Sequence, residues 1–193
     1  KALDDSRFSK RFHYLFYQKY EAFSSLPEEE RYAEAFYFAL TTLTPSISDG
    51  ELIVGKRDLP MTPEEQTQWD TKYASIAQAR MSQCGGGQDS HMAIDYELIL
   101  SAGLNGIIDK INTSLQSCEP EKRAFYRSCK RCLQAVIKHA ENYAETAHKM
   151  SLDTSDPLRQ QELEKIAEIC RKVPANPAET FHEAVQSVHF ITY

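Results

Sequence analysis

The sequence predicts a mainly α-helical protein with one short extended segment near residues 51–54. The chain of 193 residues contains only seven glycines, and five of them lie between positions 50 and 87. Elsewhere, apolar residues recur with helical spacing behind prolines and cap residues that start helices. The run Glu51-Leu52-Ile53-Val54, followed by Gly55, is the one β-branched run, so we expect it to lie extended, with no partner strand nearby in sequence. The length fits a single domain over residues 1–193.

Three helices are predicted in the first 90 residues. The first has a stripe of large side chains, Phe8, Phe12, Leu15, Phe16, Lys19 and Phe23. The second begins after Pro27 with three glutamates, which favour the positive end of a helix, and it should end near Leu43. The third has Thr62 as its cap and Glu65 as the partner in a capping box, and it should end near Ser82. Its predicted buried face consists of Trp69, Tyr73, Ile76 and Ala77.

The second half of the chain predicts four more helical segments. One begins near Asp95-Tyr96-Glu97 and should break around Gly103 or Gly106. A long helix from Pro120 to about Met150 follows, and its predicted apolar line is Phe125, Cys129, Cys132, Val136, Tyr143, Ala147 and Met150. The next helix begins at Asp156-Pro157 and runs to about Lys172. The last is expected to begin at Asn176, with Glu179 three residues on.

Charge and composition exclude several classes of protein. The net charge is −6, which argues against a general nucleic-acid binder, and no apolar stretch is long enough to span a membrane. The five cysteines are an odd number and no signal peptide precedes them, so reduced thiols in a cytoplasmic protein are expected. The first residue is Lys and the last ten residues become more apolar, so we expect the natural polypeptide to continue beyond this chain.

Candidate site residues are few when the sequence is taken by itself. Cys129 and Cys132 form a C-x-x-C in mid-helix, where we expect neither a redox pair nor a metal site, because His139 is too distant to be a ligand. The loop at 83–90 contains three consecutive glycines, and it is either a plain connector or a loop that feeds a pocket containing His91. A basic stripe, Arg123, Arg127 and Arg131, is either a solvated face or a docking edge for a partner.

Three ordered segments nevertheless resemble the N-terminal region of the glycyl radical enzymes, the pyruvate formate-lyase-like family. The chain carries ISDGELIVG at residues 47–55, which resembles the family signature I-x-D-x-E-L-I-V-G. Residues 90–100, SHMAIDYELIL, and 103–107, GLNGI, are similar to the family's G-H-x-x-x-D-Y-E-K-V-L…G-L-x-G-I. Residues 163–175, 177–178 and 180–186 resemble the stretch that leads toward the catalytic barrel.

The resemblance implies the helical N-terminal part of an α/β-barrel enzyme that cleaves C–C or C–X bonds anaerobically, as a lyase, a dehydratase or a formate acetyltransferase. In that family a glycyl radical near the C-terminus and a central cysteine do the chemistry. A separate S-adenosylmethionine iron–sulfur activating enzyme installs the radical. Neither motif occurs in this chain, so the resemblance implies no catalytic residue, no metal and no bound cofactor here, and an inactive fragment. The implied partners are a small-molecule substrate and the activating enzyme, and a homodimer stays open.

One substrate-binding residue is implied by the resemblance. In the dehydratase-like branch, the histidine of G-H-x-x-x-D-Y bonds a substrate hydroxyl, and that position is His91 here, with Ser90 in place of the usual glycine. The alternative to an enzyme is a non-catalytic helical interaction or scaffold module that uses the basic stripe and the apolar C-terminus. The central cysteine motif and a C-terminal R-V-x-G-Y in the longer reading frame would separate the two hypotheses.

Overall fold

A computed structural model describes residues 10–56, 60–77 and 94–192. Helices account for most of these residues, and no strand occurs among them. The helices are α1 (Lys10–Ala22), α2 (Glu28–Thr42), α3 (Pro63–Gln68), α4 (Tyr96–Ser117), α5 (Arg123–Asp153), α6 (Pro157–Lys172) and α7 (Phe181–Thr192). A π-helical turn, Trp69–Tyr73, extends α3, and a 3₁₀ turn, Pro120–Lys122, precedes α5. The mainly helical prediction is confirmed for the described part of the chain.

Helix α1 packs against α2 and α3 around an aromatic core. Tyr14, Phe16 and Tyr20 are buried there, and the rings of Phe16 and Tyr20 stack. Lys19 interrupts the predicted stripe, yet its ammonium lies 4.6 Å from the centre of the Phe38 ring, where a cation is attracted by the ring face. The stripe therefore marks the packed side of the helix, the lysine included.

The start of α3 confirms the predicted capping box. The Thr62 hydroxyl accepts a hydrogen bond from the Glu65 N–H, and the Glu65 carboxylate accepts one from the Thr62 N–H. Of the predicted buried face, Tyr73 and Ala77 are buried, but Ile76 is 37% exposed, so that part of the prediction is wrong. The π-helical turn holds more residues than an α-helical turn and so rotates the residues after it about the axis.

Helix α5 runs through the centre of the molecule and contacts α2, α4 and α6. Tyr143 and Ala147 are fully buried, as predicted, within a second core that includes Val54 and Phe190. Phe125 is 55% exposed, so its predicted burial is wrong. Phe125 lies in the first turn of α5 and is not among the residues that line the groove between α5 and α2.

Helix α7 begins at Phe181, four residues after Pro177, so the predicted start at Asn176 is wrong. The hydrogen-bonded pair that starts the helix is instead Thr180 and Glu183: each side chain accepts a hydrogen bond from the other's N–H. This is the same capping box, displaced by four residues. The main chain of Asn176 is instead packed against Gly103 of α4.

Candidate functional site

Residues 51–54 are non-helical, as predicted, although the chain bends at Ile53 and so is not extended throughout, and no residue of the segment 47–56 belongs to a strand. A side chain takes the place of the missing neighbouring strand. The Val54 N–H donates to Oε1 of Gln186 at 2.9 Å, and Nε2 of Gln186 donates to the Val54 carbonyl at 2.6 Å. Both residues are essentially fully buried. The primary amide of one glutamine therefore satisfies both main-chain groups of a buried residue 132 positions earlier.

Three more side chains, one each from α5, α6 and α7, bind main-chain carbonyls of the same segment. The Tyr143 hydroxyl donates to Lys56 at 2.6 Å, Arg159 donates to Ser48 and Glu51, and His182 bonds Leu52 at 3.1 Å. Because a carbonyl only accepts, Nε2 of His182 must carry the hydrogen. The segment is thus fixed on three helices without a strand partner.

A second set of long-range contacts lies where α4 is broken. Gly103 has φ +64° and ψ 173°, which confirms the predicted break and divides α4 into two halves. In an uninterrupted helix the Leu104 N–H would donate to the Leu100 carbonyl. Here the Ala178 N–H donates to Leu100, and the Leu104 N–H donates to Pro174. The 173–178 loop, which connects α6 to α7, therefore replaces the hydrogen bonding across the break.

Gly103 also sits too close to this loop for any side chain. A Cβ at this position would lie 2.5 Å from the carbonyl carbon of Asn176 and 2.6 Å from the Ala175 oxygen. Both neighbours are main-chain atoms, which no side-chain rotation can move. The neighbouring residue Asn105 adds a main-chain bond to Ala175 and a side-chain contact to Asn176. The close approach thus joins the break in α4 to the loop between α6 and α7.

The far end of the loop is fixed by charge. Burial by itself would raise the pKa of Glu183, but the Glu179 N–H, the Lys172 ammonium and the Thr180 N–H together hold it below its ordinary value. The pKa of Lys172 is raised by its bonds to Glu179 and Glu183. This ion pair joins the last turn of α6 to the first turn of α7, so the loop is closed at both ends.

The predicted substrate-binding residue, His91, lies outside the described residues. The helix start four residues later is described: α4 begins at Tyr96, as predicted, and Asp95 caps it by accepting the Leu98 N–H at 2.9 Å. Sequence reasoning did not identify Gln186. Its one signal was a polar side chain within the apolar stretch at 184–191.

Of the remaining candidates, the C-x-x-C pair and the basic stripe lie among the described residues, whereas the glycine-rich loop at 83–90 lies outside them. Burial raises the pKa of the Cys129 thiol and raises that of Cys132 to about 11, which suppresses the reactive thiolate. Among the described residues, no three His, Cys, Asp or Glu side chains lie close enough to hold a metal ion. In the basic stripe, Arg131 pairs with Glu34 and stacks on the Tyr37 ring.

The fold and these contacts define a class of structure. The described residues form a helical framework without strands. Side chains bind the non-helical segment 47–56, and the broken helix α4 binds the 173–178 loop. None of the described helices is long and apolar enough to cross a membrane. Residues 70–193 match the family described as PFL-like, pyruvate formate lyase-like, so the chain belongs to that family.

Similar proteins are lyases and dehydratases of the glycyl radical type. An isethionate sulfite-lyase of Nitratidesulfovibrio vulgaris is 38% identical over 103 residues, which cover 50% of this chain and 12% of that protein. A (2S)-3-sulfopropanediol dehydratase of Klebsiella oxytoca is 31% identical over 134 residues, or 66% of this chain and 16% of that protein. The structure of a glycyl radical enzyme from Archaeoglobus fulgidus superposes with a TM-score of 0.78 and 25% identity, over 95% of this chain and 31% of that one. This chain therefore corresponds to a part of such enzymes and spans less than a third of their length. The family resemblance seen in the sequence is confirmed.

Proposed function

We propose that this chain is the helical N-terminal part of a glycyl radical lyase or dehydratase that breaks a C–X bond in a small organic substrate. The observation that carries the proposal is the match of residues 70–193 to the pyruvate formate lyase-like family. The similarity to a sulfite-lyase and to a dehydratase favours cleavage of a C–X bond over the formate acetyltransferase reaction.

The rest of such an enzyme would be an α/β barrel outside this chain. A glycyl radical and a cysteine there would supply hydrogen abstraction from the substrate, after an S-adenosylmethionine iron–sulfur enzyme had installed the radical. Neither the R-V-x-G-Y motif nor the central cysteine motif occurs in these 193 residues, so the chain alone should be inactive. An anaerobic, cytoplasmic setting belongs to the same proposal.

Within this chain, His91 would bind the substrate. A neutral imidazole has one donor and one acceptor nitrogen, so it can bond a hydroxyl group and take or give a proton as that group leaves. The spacing supports this role: His91 stands four residues before Asp95, as in the family motif, and Asp95 caps the start of α4.

The experiment is to compare His91→Ala with wild type in the complete enzyme, activated anaerobically. We expect normal radical content by electron paramagnetic resonance and a loss in kcat/KM of roughly 10²-fold or more, the scale of a positioned acid–base group. His148→Ala is the matched control, because His148 is exposed on α5. A His91→Ala enzyme with normal radical and normal turnover would contradict the assignment.

A second candidate is a helical interaction module. An open groove of about 440 Å³ is lined by Arg127 and Arg131 of the basic stripe together with Phe23 and Leu26. The complete reading frame decides between the candidates: a central cysteine motif with a C-terminal R-V-x-G-Y supports the enzyme, and their absence supports the module.

A further inference from the structure

We propose that the 47–56 segment and α7 open and close as one cooperative unit, with the amide of Gln186 as the link between them. The two elements are far apart in the chain, 132 positions where Val54 pairs with Gln186. The coupling belongs to the fold and does not depend on which candidate function is correct. It means that a change made on one element alters the opening of the other.

The 47–56 segment is attached to the other described elements by side chains. Among the described residues, its one hydrogen bond between main-chain groups is internal, from the Glu51 N–H to the Ser48 carbonyl at 3.2 Å. Within the same residues, the Val54 N–H is the one main-chain donor of the segment for which a helix supplies the acceptor, and that acceptor is Gln186. Because no ladder of main-chain bonds holds the segment, the loss of this side chain acts on it directly.

The pairing of Gln186 with Val54 is buried on both sides. Gln186 is 1% exposed, Val54 is fully buried, and both bonds of the amide go to Val54. Val54 packs in the second core with Tyr143 and Phe190, so the surroundings are apolar. If the segment alone moved away, the Gln186 amide would stay beside this core without its partner, which is unfavourable. A state with the segment open and α7 still closed is therefore disfavoured.

One face of α7 follows the segment. His182, Gln186 and His189 are spaced by four and three residues, which places them on the same side of the helix. Their contacts keep the order of the segment: His182 bonds Leu52, Gln186 bonds Val54, and His189 lies against Gly55. A Cβ on Gly55 would be 3.0 Å from the His189 ring and 3.2 Å from the Phe190 ring. Outward movement of α7 thus uncovers the segment from Leu52 to Gly55.

The proposed unit is distinct from the aromatic core of α1, α2 and α3. Val54 and Phe190 belong to the second core, and no described residue of the segment or of α7 is part of the aromatic core. The unit can therefore open while the aromatic core stays packed. Such partial openings have lower free energies than global unfolding, and amide hydrogen exchange measures them.

The test is native-state hydrogen exchange of the complete protein, with each variant on one element and the readout on the other. Gln186→Met keeps a similar side-chain volume and removes both bonds to Val54, so the 47–56 amides should exchange about 10-fold faster or more. Gly55→Ala places a methyl group against the rings of α7, so the amides of residues 187–190 should exchange about 10-fold faster or more.

Thr62→Ala is the matched control, because it also removes an acceptor for a main-chain N–H, but at the start of α3. It should change exchange in both elements by less than about 2-fold. Faster exchange on the mutated element alone would show that the two elements open independently and would overturn the proposal. Equal acceleration of the α2 amides would show that the chain opens as a whole and would overturn it too.

The wild-type protein supplies a second measurement that needs no variant. At a series of low urea concentrations, exchange at Val54 and exchange in α7 should rise with the same urea dependence, because one opening exposes both. This dependence should be weaker than that of the α2 amides, since the unit exposes less surface than global unfolding. Different urea dependences in the segment and in α7 would refute the coupling even if neither variant folds.

Discussion

Replacing Gln186 with alanine should be among the most destabilising single changes in this chain. The substitution removes the amide that bonds both the N–H and the carbonyl of Val54, and both of these groups are buried. Each buried main-chain group left without a partner costs about 1–3 kcal/mol. We therefore expect a loss of about 2–6 kcal/mol, a large part of the stability of a domain, which is about 5–15 kcal/mol.

Urea unfolding followed by far-UV circular dichroism measures this loss as a lower midpoint with an unchanged m-value. Gln116→Ala is the control: Gln116 is exposed on α4, and its change should be within about 0.5 kcal/mol. Gln186→Met separates hydrogen bonding from cavity formation, because methionine has a similar volume and cannot pair with Val54. The reasoning is refuted if Gln186→Ala costs less than about 1 kcal/mol, or if methionine restores wild-type stability.

Three further predictions concern single side chains. The pKa of Glu183 is lowered in the folded state, so its charge stabilises the fold above about pH 4.3, and this contribution is lost as the pH falls below that value. Glu183→Gln should therefore be less stable than wild type at pH 7. In urea titrations it should also lose less stability than wild type between pH 5 and pH 2. Burial raises the pKa of the Cys132 thiol to about 11. At pH 8, iodoacetamide should therefore label Cys132 on the order of 100-fold more slowly in the folded chain than in the chain unfolded in urea. Equal labelling rates would contradict the burial of this thiol. Tyr143→Phe removes the hydroxyl that donates to Lys56 and should cost about 1–3 kcal/mol in the same unfolding assay, whereas an unchanged midpoint would show that the bond adds nothing.

Local signals in the sequence located most helix starts. The capping box of Thr62 and Glu65, the Asp95 cap and the Asp156-Pro157 start all depend on residues within four positions of one another. Such contacts form in nearly any context, because the partners are already neighbours in the chain. This is why the helical prediction holds for the described residues.

The start of α7 shows where local signals are insufficient. Asn176 with Glu179 and Thr180 with Glu183 both have the spacing of a capping box, and the sequence predicted a start at the first pair. The choice is made by a distant residue: the main chain of Asn176 is packed against Gly103, 73 positions earlier, and cannot also start a helix. Tertiary contact decided between two equivalent local patterns.

The long-range hydrogen bonds to the 47–56 segment could not be predicted from the sequence for the same reason. Nothing near Gln186 in sequence indicates that its amide pairs with Val54, because the two residues are 132 positions apart. The sequence predicted that residues 51–54 would not be helical but offered no partner for them. No partner strand was expected nearby in sequence, and a side chain supplied the bonds.

The backbone conformation of Gly103 also bears on the choice between an enzyme and an interaction module. A residue held in a rare backbone conformation reduces stability and persists where the surrounding structure imposes it, which is common at functional sites. Gly103 is such a residue, and it lies where the loop between α6 and α7 packs against α4. The basic stripe shows no comparable feature: Arg131 is paired with Glu34 and stacked on an aromatic ring, as ordinary helix packing requires. Among the described residues, positive φ occurs at Gly50, Gly55 and Gly103, and none of these residues lines the groove beside the basic stripe. The docking hypothesis therefore rests on the exposed groove alone, and the family match remains the main argument for the enzyme.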